Sequence, residues 1–530
     1  MSPPPPLTIA VVGAGMAGLS AAWELSGGSK PGNSEHGNSA HRGSGTPVVH
    51  VLEAGARVGG KLRSGEFAGR TVDLAADAFV ARRPEATELC QQLGMGDQLV
   101  VPGTSGASIW ARGRLRAMPD ALNVGIPTRW WPLFRSGILS PAEALAAARD
   151  VVVPHRAQGM IIGDRSVGEI VGERMGRPVV ERLVDPLIGG INAGNVDELS
   201  AAASMPVLIA ASLQSGSLMH RLGRLRATGA ASAPASEGAT PVFRSLQGST
   251  ASLPDKLAEQ LARRGVTIRT GSPVEAIEAI EAIETVESGR SGGPAGTGRR
   301  RWRLVIGGTG AEGAAAGASQ DGIRSLEVDG VVLAAPAPEV AVLLVPHLPM
   351  AAGLLAAIPY ASVAVVTLSV PTGAIRSRLR GTGFLVPRTS TVDGRQALVT
   401  GGTYLGRKWP HLARPGDELI RVSVGRFGDD RHRELDDDQL TASVFGELAE
   451  VLDISGSPLD ALVTRWPSSF PQYQVGHLIR VAQIEKAVGE LGGMAVAGAA
   501  LRGVGIPACI GSGREAARRV LASVGPGPGR

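Results

Sequence analysis

Cysteine is nearly absent: Cys90 and Cys509 are the only two in 530 residues. That is too few for a disulfide framework, an iron–sulfur cluster or a Cys-based zinc site. Histidine numbers nine, and none, His411 and His477 included, stands at metal-ligand spacing, so no metal site is expected. Aromatic residues are 3% of the chain, and no run of about 18 uninterrupted apolar residues occurs, which argues against a membrane-spanning helix. The opening Met1-Ser2-Pro3-Pro4-Pro5-Pro6 has neither the charged region nor the apolar segment of a secretory signal, so a cytoplasmic location is expected. Lysine is confined to Lys30, Lys61, Lys256, Lys408 and Lys486, leaving arginine to carry nearly all of a net charge of +5. Those arginines are dispersed and match no nucleic-acid module, so the excess suits a small anionic substrate or an acidic surface.

What the chain does have is an informative start. Ile9-Ala10-Val11-Val12-Gly13-Ala14-Gly15-Met16-Ala17-Gly18-Leu19 is an apolar strand running through G-x-G-x-x-G into a helix. The first glycine permits a tight turn, the second lets backbone approach a pyrophosphate, and the third lets helix pack on strand. The acidic residue expected roughly 20 positions later is displaced by Ser26 to Pro47, a tract of Gly, Ser, Asn and His that reads as a solvated insertion. Removing most of it brings Val48-Val49-His50-Val51-Leu52-Glu53 to the expected place, with Glu53 at the carboxyl edge of a strand. The motif predicts a dinucleotide, FAD or NAD(P).

The organisation is that of a multidomain enzyme. Four low-complexity stretches, Ser26 to Pro47, Ala227 to Thr240, Ser288 to Arg300 and Gly307 to Gly322, read as surface excursions. Val266–Thr270, Arg301–Ile306 and Ser325–Ala334 suggest a β-rich return to the dinucleotide domain. Ile138 to Met219 has helical spacing, with Ser140 as cap and Pro141 in a first turn. Val363–Val370 and Gln396–Gly401 predict strands of a second sheet, and Gly493–Gly498 predicts a final strand before a helix from about Cys509. Arg129-Trp130-Trp131-Pro132-Leu133-Phe134-Arg135 reads as packing at a tunnel wall in preference to leaning on a membrane, because no long amphipathic helix surrounds it.

A second glycine turn follows Glu53: Ala54-Gly55-Ala56-Arg57-Val58-Gly59-Gly60-Lys61, where paired glycines admit backbone to a ligand and Arg57 and Lys61 add positive charge. With the first motif it resembles the amine-oxidase-like superfamily of FAD enzymes. Further segments are similar to the protoporphyrinogen/coproporphyrinogen III oxidase family, in its Gram-positive, coproporphyrinogen-oxidising type. They are Asp77–Arg83, Gly125–Thr128, Val184–Gly194, Gly381–Pro387, Lys408–His411 and Pro471–His477, in family order across most of the chain. The family usually has tyrosine where Asn192 stands and a second aromatic residue where Leu501 stands.

The resemblance implies an α/β multidomain architecture. A Rossmann-like FAD-binding domain (1–78, 243–340, 484–530) is interleaved with a β-sheet substrate domain (79–113, 341–483), and a helical domain (114–242) is inserted. It implies FAD held by Gly13, Gly15, Met16, Ala17, Gly18, Glu53, Ala54, Arg57, Gly59, Gly60, Lys61, Val274, Trp466, Gly498, Val504, Gly505 and Ile506. A buried valine at 274 and helix-capping glycines near 505 would read alike from sequence. Substrate contacts are expected from Asn192 and from Arg82 and Arg83, whose guanidinium forks suit propionates, a solvated arginine pair being the alternative. The implied reaction is six-electron oxidation of coproporphyrinogen III to coproporphyrin III in haem biosynthesis, by hydride transfer to the flavin with molecular oxygen as acceptor and no protein base named. Implied partners are the porphyrinogen, oxygen and a ferrochelatase of the coproporphyrin-dependent pathway, with at most peripheral membrane contact. Protoporphyrinogen IX oxidation, a carotenoid desaturase, an amine oxidase and a redox-silent porphyrin-carrying flavoprotein remain open.

Overall fold

Five short apolar segments lie side by side. β1 (Thr8–Val12), β2 (Val48–Leu52), β3 (Thr267–Arg269), β4 (Gly330–Leu333) and β5 (Met494–Val496) form a parallel sheet in the order β3-β2-β1-β4-β5. Parallel strands are covered on both faces, which is why they read as apolar runs without alternation. In the computed structural model, which describes residues 6–28, 46–153, 163–231, 241–280, 300–308 and 324–525, the two faces meet different partners. Ile9, Val11 and Val332 pack on α1 (Met16–Leu25) and α2 (Ile506–Val524). Ala10, Val12, Val331 and Leu333 pack on a three-stranded antiparallel sheet (Val274–Ile280, Arg301–Ile306, Ser325–Val328) and on the helices Ala337–Leu344 and His477–Glu490. α1 and α2 meet at backbone contact, since a Cβ on Gly513 would lie 1.9 Å from the Ala17 carbonyl oxygen.

A second, seven-stranded sheet runs in the order Asp460–Pro471, Tyr360–Pro371, Asp417–Val424, Val399–Tyr404, Gly383–Leu385, Ser108–Ala111, Arg114–Ala117. Helix Asp437–Leu452 covers it through Leu440, Val444 and Leu448. A helical region around residues 130–231 packs beside it on its own core. There Ser140 and Ser166 close capping boxes with Glu143 and Glu169, and buried Asp150 binds Arg174 at 2.9 Å, Ser217 Oγ at 2.8 Å and the amides of Leu218 and Met219. Val180–Gly189 is a widened, π-type helical turn containing Pro186, which has no N–H to give to a regular ladder.

Tertiary pairing redrew several strand expectations. Ser325–Ala334 is not one strand: Asp329 breaks it, accepting the Thr8 amide at 2.8 Å, so its first half joins the antiparallel sheet and its second half is β4. Arg301–Ile306 is the middle strand of that antiparallel sheet, which packs against the parallel one. In the second sheet the strand is Val399–Tyr404, Arg395–Gln396 pairing instead with Thr391–Val392. The last helix begins at Ile506, with Pro507 in its first turn, where a missing N–H costs nothing. Residues 29–45, and much of the other low-complexity stretches, lie outside the described residues.

Candidate active site

The glycine fingerprint folds into three positions with three different physical reasons. Gly13 sits at φ +100°, and a Cβ there would be 2.9 Å from the Ala334 carbonyl. Gly18 lies against the strand, its Cβ position 1.8 Å from the Gly13 oxygen. Gly15 has no atom within 4 Å of its Cβ position, because that side faces a large cavity. Glu53 Oε2 accepts the Ala14 amide at 2.7 Å and Oε1 the Gly55 amide at 2.8 Å, leaving each carboxylate oxygen a further lone pair for a ligand hydroxyl. Gly60, at φ +56°, has its Cβ position 3.4 Å from the Gly15 Cα, so the second glycine turn closes over the first.

Two helices point their N-termini into this cavity, α1 from Gly15 and α2 from Gly505, and neither has a side-chain cap. Unfilled first-turn amides and the helix dipoles favour electron-rich ligand atoms. Cys509, in the first turn of α2, also lines the cavity, and burial pushes its thiol up to about 11, so it stays protonated near neutrality. Lys61 faces the cavity and donates to the Ser469 carbonyl; burial pushes its ammonium below the ordinary lysine value.

The cavity, about 1220 Å³, extends from this cradle to a second wall made by Tyr360, Val363, Val386, Arg421 and Trp466 of the seven-stranded sheet region and by Asp185, Pro186 and Ile191 of the helical region. Behind this wall Asp77 gathers three donors. Lys408 Nζ lies at 2.9 Å, Arg421 Nη2 at 3.0 Å and Trp409 Nε1 at 2.9 Å. Burial would raise the Asp77 carboxyl, but Arg421 and Lys408 outweigh it and hold the group well below the usual carboxylate range. Tyr473 ties the far rim: its hydroxyl donates to the Ala499 carbonyl and accepts the Gly503 amide at 2.8 Å, while its ring stacks on His477 at 4.1 Å.

Of the residues expected to meet a flavin, Gly13, Gly15, Met16, Ala17, Glu53, Ala54, Gly59, Gly60, Lys61, Val274, Trp466, Gly498, Val504, Gly505 and Ile506 line this one cavity. Gly18 stands off it as a packing glycine. Arg57 also stands off it, donating to the carbonyls of Val58, Gly60 and Leu62 and so shaping the turn. Among the substrate candidates Arg83 reaches the cavity, paired with Glu85 at 2.8 Å. Arg82 is exposed outside the wall. Asn192 turns its amide to the Ile188 carbonyl at 2.8 Å, while its neighbours Ile191 and Ala193 form the wall. Leu501 is buried in the core, its carbonyl 2.8 Å from His477 Nε2.

The expectation that Trp130, Trp131 and Phe134 pack at a tunnel wall is wrong. None lines the cavity, and Trp131 is 56% exposed. The helix Trp130–Ser136 has only seven residues and buries Leu133; Trp130 packs half-buried on the helical core and donates to the Ala144 carbonyl at 2.6 Å, while Trp131 and Phe134 stack on each other at the surface. The charged groups around Asp77 and Asp185 were missed because a buried ion pair leaves no local signal in sequence. Only the unusual placement of Asp77 beside apolar Phe79 hints at one.

This geometry, a parallel-sheet dinucleotide cradle opening onto a second sheet, defines a flavoenzyme class. The chain belongs to the flavin containing amine oxidoreductase family, whose model matches residues 16–521, and its cofactor is FAD. It is 31% identical to the coproporphyrinogen III oxidase of Propionibacterium freudenreichii subsp. freudenreichii, over 97% of this chain and 90% of that one. It is 29% identical to the coproporphyrinogen III oxidase of Bacillus subtilis, over 97% of each. A crystal structure from Exiguobacterium sp. 255-15, provisionally named a protoporphyrinogen oxidase, superposes with a TM-score of 0.76 at 28% identity, covering 97% of this chain and 98% of that one. Among the described residues no helix is long and apolar enough to cross a membrane.

Proposed function

We propose that this chain is an FAD-dependent coproporphyrinogen III oxidase. The observation that carries the reading is the continuity of the cavity. At about 1220 Å³ it exceeds the roughly 300–1,000 Å³ of an ordinary single-ligand pocket, and it joins a dinucleotide cradle to an apolar slot between sheet and helices. The relatives' activity gives that slot its occupant, a flat tetrapyrrole with carboxylate arms.

The residues fit FAD: three glycines are required by turn, approach and packing, and two uncapped helix ends share the cavity. The amides of Gly13, Gly15, Met16 and Ala17 would hold the pyrophosphate. Glu53, with Ala54, would hold the adenosine ribose, and the Val274 backbone the adenine. Gly59, Gly60, Lys61, Trp466, Gly498, Val504, Gly505 and Ile506 would surround the flavin ring and its chain. Gly18 and Arg57 would act one step back, by packing α1 and shaping the second turn. When bound, FAD supplies a two-electron acceptor that molecular oxygen can reoxidise. Three oxidations remove six hydrogens from the porphyrinogen and convert three O₂ to three H₂O₂. The chain contributes orientation and a slot from which apolar walls exclude water. On this reading the segments 1–78, 243–340 and 484–530 serve the cofactor, 79–113 and 341–483 serve the substrate, and 114–242 closes the slot. The enzyme works in the cytoplasm and passes coproporphyrin to a ferrochelatase.

The test is anaerobic mixing of the FAD-loaded protein with coproporphyrinogen III. Bleaching of the flavin absorbance, followed on admitting oxygen by porphyrin fluorescence and peroxide in a 1:3 ratio, is the expected result. Binding without bleaching would leave a porphyrin carrier and sink the reading.

A further inference from the structure

Among the described residues four cations line the cavity, and three are held. Lys61 donates to Ser469, Arg83 pairs with Glu85, and Arg421 pairs with Asp77. Arg426 is different. It follows the strand Asp417–Val424, is 6% exposed, and has Nε and Nη2 enclosed with no hydrogen-bond partner. Nη1 is the one guanidinium nitrogen not enclosed in this way, and the residue lines the cavity. A buried charged donor left unpaired is costly, and native proteins keep few of them without a reason.

The surroundings hold this arginine in place without satisfying it. Gly425 turns at φ +84°, where a Cβ would lie 2.5 Å from the His432 ring. On the other side, the Phe427 amide donates to the Ala193 carbonyl at 2.7 Å. Arg388 donates to the carbonyls of Phe427 at 3.2 Å and Gly194 at 2.9 Å, so it bridges the loop after Arg426 to the helical wall. The nearby carboxylates are already engaged. Asp185 lies 3.8 Å from Arg388 Nε, and Asp429 is gripped by Arg431 at 2.7 and 2.8 Å. Asp185 and Asp429 also act on Arg426 through space, but each lies closer to another guanidinium, and neither forms a hydrogen bond or ion pair with the Arg426 side chain. Burial, then Arg388, pushes the Arg426 guanidinium below its ordinary value, a strain that an incoming anion would relieve.

We propose that Arg426 is a carboxylate-binding residue inside the slot, its Nη1 meeting one propionate of the tetrapyrrole and so fixing which way the macrocycle enters. The inference rests on the porphyrinogen reading. It separates an inner carboxylate contact, desolvated and preorganised, from the exposed contact that Arg83 can offer at the rim.

The test compares coproporphyrin III with its uncharged tetra-amide, each titrated into the FAD-loaded protein by fluorescence quenching. In R426Q the Kd for the tetra-acid should rise about tenfold or more, while the Kd for the tetra-amide and the FAD content stay as in the unsubstituted protein. R426K, which keeps charge but not the fork, should fall between. Equal losses for both ligands, no loss for either, or an unsubstituted protein that binds the tetra-amide as tightly as the tetra-acid would overturn the proposal. So would failure of both variants to fold, which would mark Arg426 as structural. An unsubstituted protein that neither binds coproporphyrin III nor oxidises the porphyrinogen would instead sink the functional reading itself.

Discussion

The two walls of the cavity are built by opposite means. The cradle is made of backbone: Gly13, Gly15, the first turn of α1 and the Glu53 turn lie within two short segments, and they present amides and an uncapped helix end to the cavity. The facing wall is made of long side chains brought from far apart, as where Asp77 meets Lys408 across 331 positions and Arg388 meets Gly194 across 194. A backbone site needs small residues at fixed places, whereas a side-chain site must balance every charge it buries. The cradle should therefore fail by steric intrusion, and the facing wall by loss of a counter-charge.

The largest effect expected is on the facing wall. Asp77→Asn leaves Lys408 and Arg421 buried beside a neutral group, and breaking such a pair costs about 3–5 kcal/mol, read as a drop in the urea midpoint at pH 7. The sign with pH follows from the depressed carboxyl: its contribution is complete above the ordinary aspartate range and declines as pH falls below it toward the folded value. The gap between the unsubstituted protein and Asp77→Asn should thus hold from pH 7 to about pH 4 and narrow as the pH is lowered from about 4 to 2. A constant gap would show that packing, and not charge, holds this wall.

On the cradle, Gly18→Ala forces a methyl to within 1.8 Å of the Gly13 oxygen, an overpacking cost at or beyond the top of the usual range of about 1–3 kcal/mol. Gly15→Ala meets no protein atom within 4 Å, so it should leave the melting temperature of the FAD-free protein unchanged while lowering its FAD content. If the two variants behave alike, the division into packing glycine and ligand glycine is wrong. Glu53→Ala should weaken FAD binding by about 1.5–3 kcal/mol, the worth of one charge-assisted hydrogen bond, as measured by reconstitution of the FAD-free protein. A preference for NADP in that variant would count against the ribose role.

The smallest effect belongs to the rim. Arg83→Ala should raise the KM for coproporphyrinogen III by an amount equivalent to about 0.2–1 kcal/mol, as expected of an exposed pair, and by more than Arg82→Ala does. Protoporphyrinogen IX, with two propionates in place of four, should respond less to Arg83→Ala. Equal responses of the two substrates would remove Arg83 from carboxylate recognition.

The cradle was legible because its chemistry is local. G-x-G-x-x-G, the apolar strand before it and the carboxylate at the end of the next strand constrain one another over a short stretch once the intervening insertion is set aside. The Ser140 cap was readable for the same reason, and the structure adds Glu143 as its reciprocal partner. The break at Asp329 was not, because the Thr8 amide that draws its carboxylate aside lies 321 positions away. Nor was the exposure of Trp131, since an aromatic residue in a seven-residue helix looks the same whether that face meets a core or water.

By itself, then, the sequence determined the glycine turns of the cradle, the Glu53 carboxylate beside them and the apolar strands that carry them, since backbone conformation and periodicity are properties of neighbouring residues. Only the tertiary structure decided which arginines are spent and which is free. Arg421, Arg388 and Arg426 are alike in sequence; the fold gives the first Asp77, lends the second to two carbonyls, and seals the third into the wall with Nε and Nη2 unbonded and Asp185 and Asp429 acting on it only through space. Electrostatic pairing depends on distances and burial that no local pattern encodes.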